Sequence, residues 1–158
     1  MTDPLTGRNA LLKGSCFCGS VTYVIFAPPV LSAYCHCTNC QRLNACPCVH
    51  TIHFEESDFE WTHNEPHSEL LDFYNNPLKP YKRRIRCKRC GVGVTSHNSN
   101  TRRVSVWAAG LERDSEGTIL NWDVAKPTAH IFYGTHVLAA NDELGKWEGY
   151  EGKSNRLG

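Results

Sequence analysis

Seven of the nine cysteines in this chain fall into three short groups. The groups read Cys-Phe-Cys at 16–18, Cys-His-Cys-Thr-Asn-Cys at 35–40 and Cys-Lys-Arg-Cys at 87–90. Neighbouring thiolates at these spacings can bind one tetrahedral metal ion, and zinc is the usual ion at such sites. Four cysteines complete a closed site, whereas three leave one coordination position open. The groups therefore predict two zinc ions per chain, one of them with an open position.

The first and last groups are typical of zinc knuckles, because Gly19 or Gly91 directly follows each one. Glycine permits the positive φ angle that a chain often needs where it turns over a metal. Two such pairs from distant parts of the chain would tie the fold together. We therefore predict a structural four-cysteine zinc site with the ligands Cys16, Cys18, Cys87 and Cys90.

The middle group has no glycine within it or just after it, and its three thiols lie within six residues. It can contact one face of a metal ion by itself. We predict that Cys35, Cys37 and Cys40 bind a second zinc with an open position, and that this site is the reactive one. The alternative is a purely structural second site that Cys46, Cys48 or a histidine closes.

A zinc ion with three thiolate ligands carries about one negative charge, so it activates water poorly. A thiol that binds as the fourth sulfur loses its proton and stays nucleophilic. This chemistry favours making or breaking a bond at a substrate sulfur over hydrolysis. Four nearby side chains are candidates for contact with the substrate or for hydrogen bonds to the thiolates: His36, Asn39, Arg42 and Cys46.

Two further thiols, Cys46 and Cys48, follow the middle group closely. One interpretation is that both pack as small apolar side chains. The other makes Cys46 a fourth metal ligand, a redox partner or a substrate contact.

Length and charge indicate one small domain over residues 1–158, with 17 basic and 16 acidic side chains. A balance this close to neutrality argues against a nucleic-acid partner held by bulk charge. Residues 1–13 are polar, and no apolar run approaches the eighteen residues of a membrane span. We therefore expect an intracellular, cytoplasmic protein without a membrane partner. Reduced thiols in that compartment favour metal binding over disulfides.

Short runs of β-branched and aromatic residues separated by polar turns predict a mainly β fold with short antiparallel sheets and little helix. The run at 103–108 alternates, with Val104 and Val106 on one face. Helix is expected only after Gln41. Seven basic residues at 79–89 are interpreted first as a solvated strand face, with an anion-binding patch as the alternative.

The three cysteine groups in this order, with Phe-Glu-Trp at 59–61 and Pro-Thr-Ala-His-Ile-Phe at 127–132, resemble the family of glutathione-dependent formaldehyde-activating enzymes and centromere protein V. The resemblance covers about residues 10–150. It implies a zinc-stapled β-tent fold, a structural zinc on the outer four cysteines and an active-site zinc on the middle three. It further implies a carbon–sulfur lyase that resembles S-(hydroxymethyl)glutathione synthase, with glutathione or its adduct as the small-molecule partner. The alternative function is a non-enzymatic zinc-stabilised binding module, as centromere protein V suggests.

Overall fold

The computed structural model describes residues 7–158, and residues 1–6 of the polar N-terminus lie outside the described part. The fold of this part is mainly β, which confirms the predicted class. Its strands are short, as the runs of β-branched residues between polar turns predict. They are β1 (Leu12–Ser15), β2 (Thr22–Ile25), β3 (Leu31–Cys35), β4 (Val49–Glu55), β5 (Phe59–Trp61), β6 (Leu71–Asn76), β7 (Lys79–Cys87), β8 (Gly93–Asn98), β9 (Arg103–Trp107), β10 (Ala129–Ile131) and β11 (Gly145–Lys146).

The strands form two sheets. The smaller sheet has three antiparallel strands in the order β1-β2-β5, and the larger has eight in the order β11-β10-β3-β4-β9-β8-β7-β6. From β3 to β6 every neighbouring pair in the larger sheet is antiparallel. The main apolar core includes side chains of both sheets, among them Tyr23, Ile52, Phe54 and Val106, all almost fully buried.

One end of the large sheet differs from the predicted antiparallel arrangement. There β10 lies parallel to both β3 and β11, with Ile131 opposite Cys35 and His130 opposite Lys146. Parallel neighbours need long connections, so residues far apart in sequence pair here and local alternation gives no sign of it. The parallel pairing places β10 directly beside the strand that ends in the middle cysteine group.

Helix is sparse, as expected, but it begins earlier than the sequence predicts. Helix α1 starts at Thr38, before Gln41, because the Cys37 side chain caps it and accepts a hydrogen bond from the Cys40 backbone N–H at 3.3 Å. Within residues 7–158 no helix is long and apolar enough to cross a membrane. The helices are α1 (Thr38–Asn44), α2 (Trp122–Ala125) and four short 3₁₀ segments, Glu56–Asp58, His67–Leu70, Ala108–Gly110 and Tyr133–Thr135.

Candidate metal centres and cleft

The outer four cysteines meet where the small sheet faces the end of β7. Cys16 directly follows β1, and Cys87 is the last residue of β7. The Cys16 and Cys18 sulfurs are 3.6 Å apart, and those of Cys18 and Cys87 are 3.8 Å apart. Sulfurs at about 2.3 Å from a tetrahedral zinc lie roughly 3.8 Å from one another. With all four sulfurs, including that of Cys90, within 4.8 Å of each other, this group could hold a metal ion.

Both turns of this group need glycine, as the sequence predicts. Gly19 has φ +74° and Gly91 has φ +72°, a backbone conformation that other residues rarely adopt. Each glycine N–H closes the turn on the first cysteine of its pair. The Gly19 N–H donates to the Cys16 carbonyl at 3.1 Å, and the Gly91 N–H donates to the Cys87 carbonyl at 2.8 Å. The turns therefore fix the sulfur pairs independently of any metal.

A polar contact joins the two turns at their exposed side. The Arg89 guanidinium donates to the Ser20 hydroxyl at 2.9 Å, and that hydroxyl lies 3.3 Å from the Cys18 sulfur. Hydrogen bonds from Ser20 lower the pKa of the Cys18 thiol to about 6. Cys18 is therefore ready to act as a thiolate ligand at neutral pH.

The middle three cysteines meet at the junction of β3 and α1. Cys35 is the last residue of β3, Cys37 caps α1 and Cys40 lies in the first turn of that helix. The Cys35 and Cys40 sulfurs are 3.6 Å apart, and all three sulfurs lie within 4.8 Å of one another. This spacing also fits a single tetrahedral ion. No histidine or carboxylate of the described residues joins the group.

The pKa values of Cys35 and Cys37 in the middle group shift in opposite directions. The pKa of Cys37 lies far below its usual value, because the thiols of Cys35 and Cys40 and the backbone N–H of Cys40 donate hydrogen bonds to its sulfur. The pKa of Cys35 is raised by its contact with Cys37 and by burial. A cation that binds all three sulfurs would replace the protons that the thiols still carry.

A cleft of about 700 Å³ opens directly above the middle group and includes Cys35, Cys37 and Cys40 in its lining. The outer four cysteines do not line it. The apolar and aromatic part of its wall comes from segments spread along the chain and includes Leu31, Leu43, Tyr74, Phe132 and Tyr150. Of the two cysteine groups, the three-cysteine group is the one that lines this cleft.

Strand β7 supplies the basic wall of the cleft. Lys79, Lys82 and Arg84 all line it, and none of them lies within 4.0 Å of a carboxylate in the described residues. Burial and the neighbouring Arg84 and Lys79 lower the pKa of Lys82. Positively charged side chains that line a cleft and have no ion-pair partner attract an anionic ligand.

The basic run at 79–89 is therefore not a uniform solvated face. Arg83 donates to the Asn75 side chain at 3.3 Å and lies over the Phe73 ring, and Arg86 pairs with Asp72. These two arginines contact the neighbouring edge strand and do not line the cleft. Alternation places Arg83 on the opposite face of β7 from Lys82 and Arg84. Arg86 has the same parity as Arg84 but lies farther along the strand, outside the cleft.

The four residues that the sequence suggested as substrate contacts lie in different places. Of these four, Asn39 alone lines the cleft. His36 is almost fully buried outside it, and Arg42 is exposed on α1 without a hydrogen bond or ion pair to any residue of 7–158. The Cys46 thiol donates to the Cys48 carbonyl at 3.2 Å and does not belong to the three-sulfur group. Neither Cys46 nor Cys48 lines the cleft.

Several cleft residues have no signal in the sequence. His53, in β4, and Tyr150, in the C-terminal segment, both line the cleft but belong to no motif. Burial raises the pKa of the Tyr150 phenol, and so does the nearby charge of the three thiols. The ring packs edge-on against Phe132, with 5.2 Å between centroids. Tyr150 therefore presents a protonated hydroxyl close to the middle group.

Comparison with known proteins agrees with this geometry. A profile described as "Glutathione-dependent formaldehyde-activating enzyme" matches residues 11–135, which include all three cysteine groups. The chain belongs to this family. The predicted resemblance is thereby confirmed.

Among solved structures, the formaldehyde-activating family member described here is similar to a Rhodobacter sphaeroides protein. The two share 21% sequence identity with a TM-score of 0.46, and the similarity covers 68% of this chain and 96% of the other. A search of curated proteins gave no match. The family profile ends at residue 135, so the part of the cleft wall around Tyr150 comes from a segment beyond it.

Proposed function

We propose that the protein is a zinc-dependent carbon–sulfur lyase that acts on a thiol adduct such as S-(hydroxymethyl)glutathione. Family membership supports a glutathione-related, formaldehyde-activating activity. The observation that carries the finer assignment is the position of the three-cysteine group in the wall of a 700 Å³ cleft. A site with structural duties only would not need to face a cavity of that size.

The residues around the middle group fit zinc. Three thiols with the spacing of one tetrahedral ion, one of them with a strongly lowered pKa, form a soft donor set. A zinc ion bound there would offer an open position to a substrate sulfur and lower the pKa of that thiol. The outer four cysteines do not line this cleft and fit a closed, structural zinc site.

The basic wall suits the rest of the substrate. Glutathione carries two carboxylates, and Lys79, Lys82 and Arg84 line one side of the cleft without acidic partners among the described residues. We assign these cations to the substrate carboxylates, and the apolar surface of Phe132 and Leu43 to the aliphatic part of the tripeptide. Contacts to both terminal residues would hold the central cysteine of the tripeptide, which carries the sulfur, beside Cys37.

The bond changes follow from the chemistry of the adduct. In cleavage the hydroxymethyl oxygen gives its proton to solvent, the carbon–sulfur bond breaks with its electron pair on sulfur, and formaldehyde leaves. Addition is the reverse, in which the thiolate attacks the carbonyl carbon and the oxygen takes up a proton. The protonated Tyr150 hydroxyl and the Asn39 amide both line the cleft and can donate hydrogen bonds to that oxygen.

Cobalt substitution tests this assignment. With cobalt in the three-cysteine site, glutathione is expected to strengthen the sulfur-to-metal charge-transfer absorption. S-methylglutathione, which has the same carboxylates but no free thiol, serves as the control and is expected to leave the band unchanged. In parallel, formation and cleavage of the hydroxymethyl adduct are measured with the zinc form and with Cys40→Ser.

Two results would contradict the enzyme assignment. One is a cobalt spectrum that no thiol perturbs, and the other is adduct turnover that Cys40→Ser leaves unchanged. A metal that proves to be fully coordinated by protein groups would favour the zinc-stabilised binding module instead.

A further inference from the structure

Behind the three-cysteine group lies a line of three hydrogen-bonded side chains. His36 Nε2 is 2.8 Å from His130 Nδ1, and His130 Nε2 is 3.0 Å from an Asp142 carboxylate oxygen. Both imidazoles are buried, with His36 only 1% and His130 only 3% exposed. Asp142 is partly exposed, so the line runs from the surface to the centre of the cysteine motif.

The chemistry of the three groups fixes their hydrogens. An ionised carboxylate only accepts hydrogen bonds, so His130 Nε2 must carry a hydrogen. In neutral His130 the other nitrogen, Nδ1, is then an acceptor, and His36 Nε2 must donate to it. Consequently Asp142 determines which nitrogen of His36 is protonated, although the two residues do not touch. His36 Nδ1 is left as a buried atom without a hydrogen-bond partner in the described part of the chain.

The backbone also ties this line to the cluster. The His36 N–H donates to the Ile131 carbonyl at 3.0 Å, and the His36 carbonyl accepts hydrogen bonds from Gln41 at 2.7 Å and Thr135 at 2.9 Å. His36 stands between Cys35 and Cys37, so its two peptide units join it directly to two of the three cysteines. A fixed His36 ring and backbone therefore restrict where both sulfurs can lie.

Asp142 is itself held in place. Its Oδ1 accepts a hydrogen bond from the Leu144 backbone N–H at 3.2 Å, just before β11 begins. The partner ring, His130, is in β10, which pairs with β11 on one side and with β3 on the other. The hydrogen bond to His130 lowers the pKa of Asp142, so the carboxylate stays ionised at neutral pH. The family profile ends before this residue.

We propose that Asp142 is a positioning residue for the three-cysteine site: through His130 it fixes the orientation and tautomer of His36, and thereby the peptide units that carry Cys35 and Cys37. The consequence for metal retention rests on the proposed function, but the effect on His36 does not. Partners that orient groups near a metal commonly change its affinity by 10- to 100-fold.

The direct test reads the imidazole nitrogens by long-range ¹H–¹⁵N NMR, with the His36 signals assigned from His36→Gln. In the unmodified protein His36 is expected to show one tautomer with hydrogen on Nε2. Asp142→Ala is expected to produce a mixture of tautomers and faster amide exchange at residues 36–41. Asp142→Asn retains one acceptor oxygen, so a smaller change is expected. Asp123→Ala is the matched control, because Asp123 is an exposed aspartate whose ion pair is with Lys126.

The second readout is zinc affinity by chelator competition. Asp142→Ala is expected to weaken the three-cysteine site about tenfold and to leave the four-cysteine site unchanged. An unaltered His36 tautomer, or an equal loss at both zinc sites, would overturn the proposal. If the three-cysteine group of the unmodified protein binds no zinc, the proposed function fails, whereas the tautomer and amide-exchange measurements still decide the role of Asp142.

Discussion

The Cys18 sulfur lies 3.8 Å from the Cys87 sulfur, although 69 residues separate the two in sequence. The pair joins the turn after β1 to the end of β7, and so it connects the small sheet to the large one. Cys16 and Cys87 are also buried in the main apolar core. A metal at this site would therefore link two parts of the core as well as two distant parts of the chain.

Loss of one outer cysteine is expected to destabilise the whole fold. Cys87→Ser should release one zinc ion per chain and reduce the free energy of unfolding by several kcal/mol, because structural zinc binding contributes on the order of 10 kcal/mol of folding free energy. Zinc content and urea denaturation, measured on the same samples, check this expectation.

The matched control is Cys37→Ser in the cleft group. It should also release one zinc ion, but the protein is expected to stay folded with the four-cysteine site loaded. An equal loss of stability in both variants would contradict the division into a structural and a reactive site.

The basic wall of the cleft predicts a charge-dependent substrate affinity. Lys82→Met keeps much of the side-chain length but removes a cation that has no acidic partner in the described residues. Loss of one charge-assisted contact costs about 1.5 kcal/mol, so KM for the glutathione adduct should rise roughly tenfold. Steady-state kinetics measure this directly.

Arg86→Met is the control for that variant, since Arg86 lies on the same strand but pairs with Asp72 away from the cleft. Its KM should remain within about twofold of the original value. A tenfold rise in both variants would indicate that general charge, and not the cleft wall, determines affinity.

Cys46 is expected to be dispensable for metal binding. Its thiol donates to the Cys48 carbonyl and lies outside the three-sulfur group, so Cys46→Ala should leave zinc content and zinc affinity unchanged. Metal titration of the variant checks this. A sharp loss of affinity at the second site would restore Cys46 to the ligand set and argue against an open coordination position.

The cysteine groups could be predicted because their information is local. Two or three thiols within a few residues indicate metal binding before any fold is known, and Gly19 and Gly91 mark the two pairs as turns over a metal. The mainly β fold class could also be predicted from the sequence, because runs of β-branched residues alternate with polar turns.

The remaining parts of the site depend on contacts between distant segments. Asp142 reaches His130 only because β10 and β11 pair in parallel, and periodicity does not encode that pairing. Likewise, Lys82 and Arg83 are sequence neighbours, yet the strand directs only Lys82 into the cleft. The sequence alone therefore does not predict which side chains, including the cations, line the cleft.

His53 predicts how stability depends on pH. Burial, followed by the nearby charges of Lys82 and Arg103, lowers the pKa of His53 to about 4, below its ordinary value of 6.5. The folded protein therefore keeps this ring neutral, while the unfolded chain binds a proton below about pH 6.5. The contribution of neutral, buried His53 to the free energy of unfolding is fully present above about pH 6.5 and is lost as the pH falls toward 4.

The corresponding variant is His53→Gln, which retains a hydrogen-bonding group for Thr51. One proton bound only by the unfolded state changes the unfolding free energy by at most about 1.4 kcal/mol per pH unit. Between pH 6.5 and pH 4.5 the unfolding free energy of the variant should therefore fall less steeply than that of the original protein, by up to this amount. Urea denaturation at several pH values measures both slopes. Parallel curves across the acid range would mean that His53 does not contribute to the acid sensitivity of the fold.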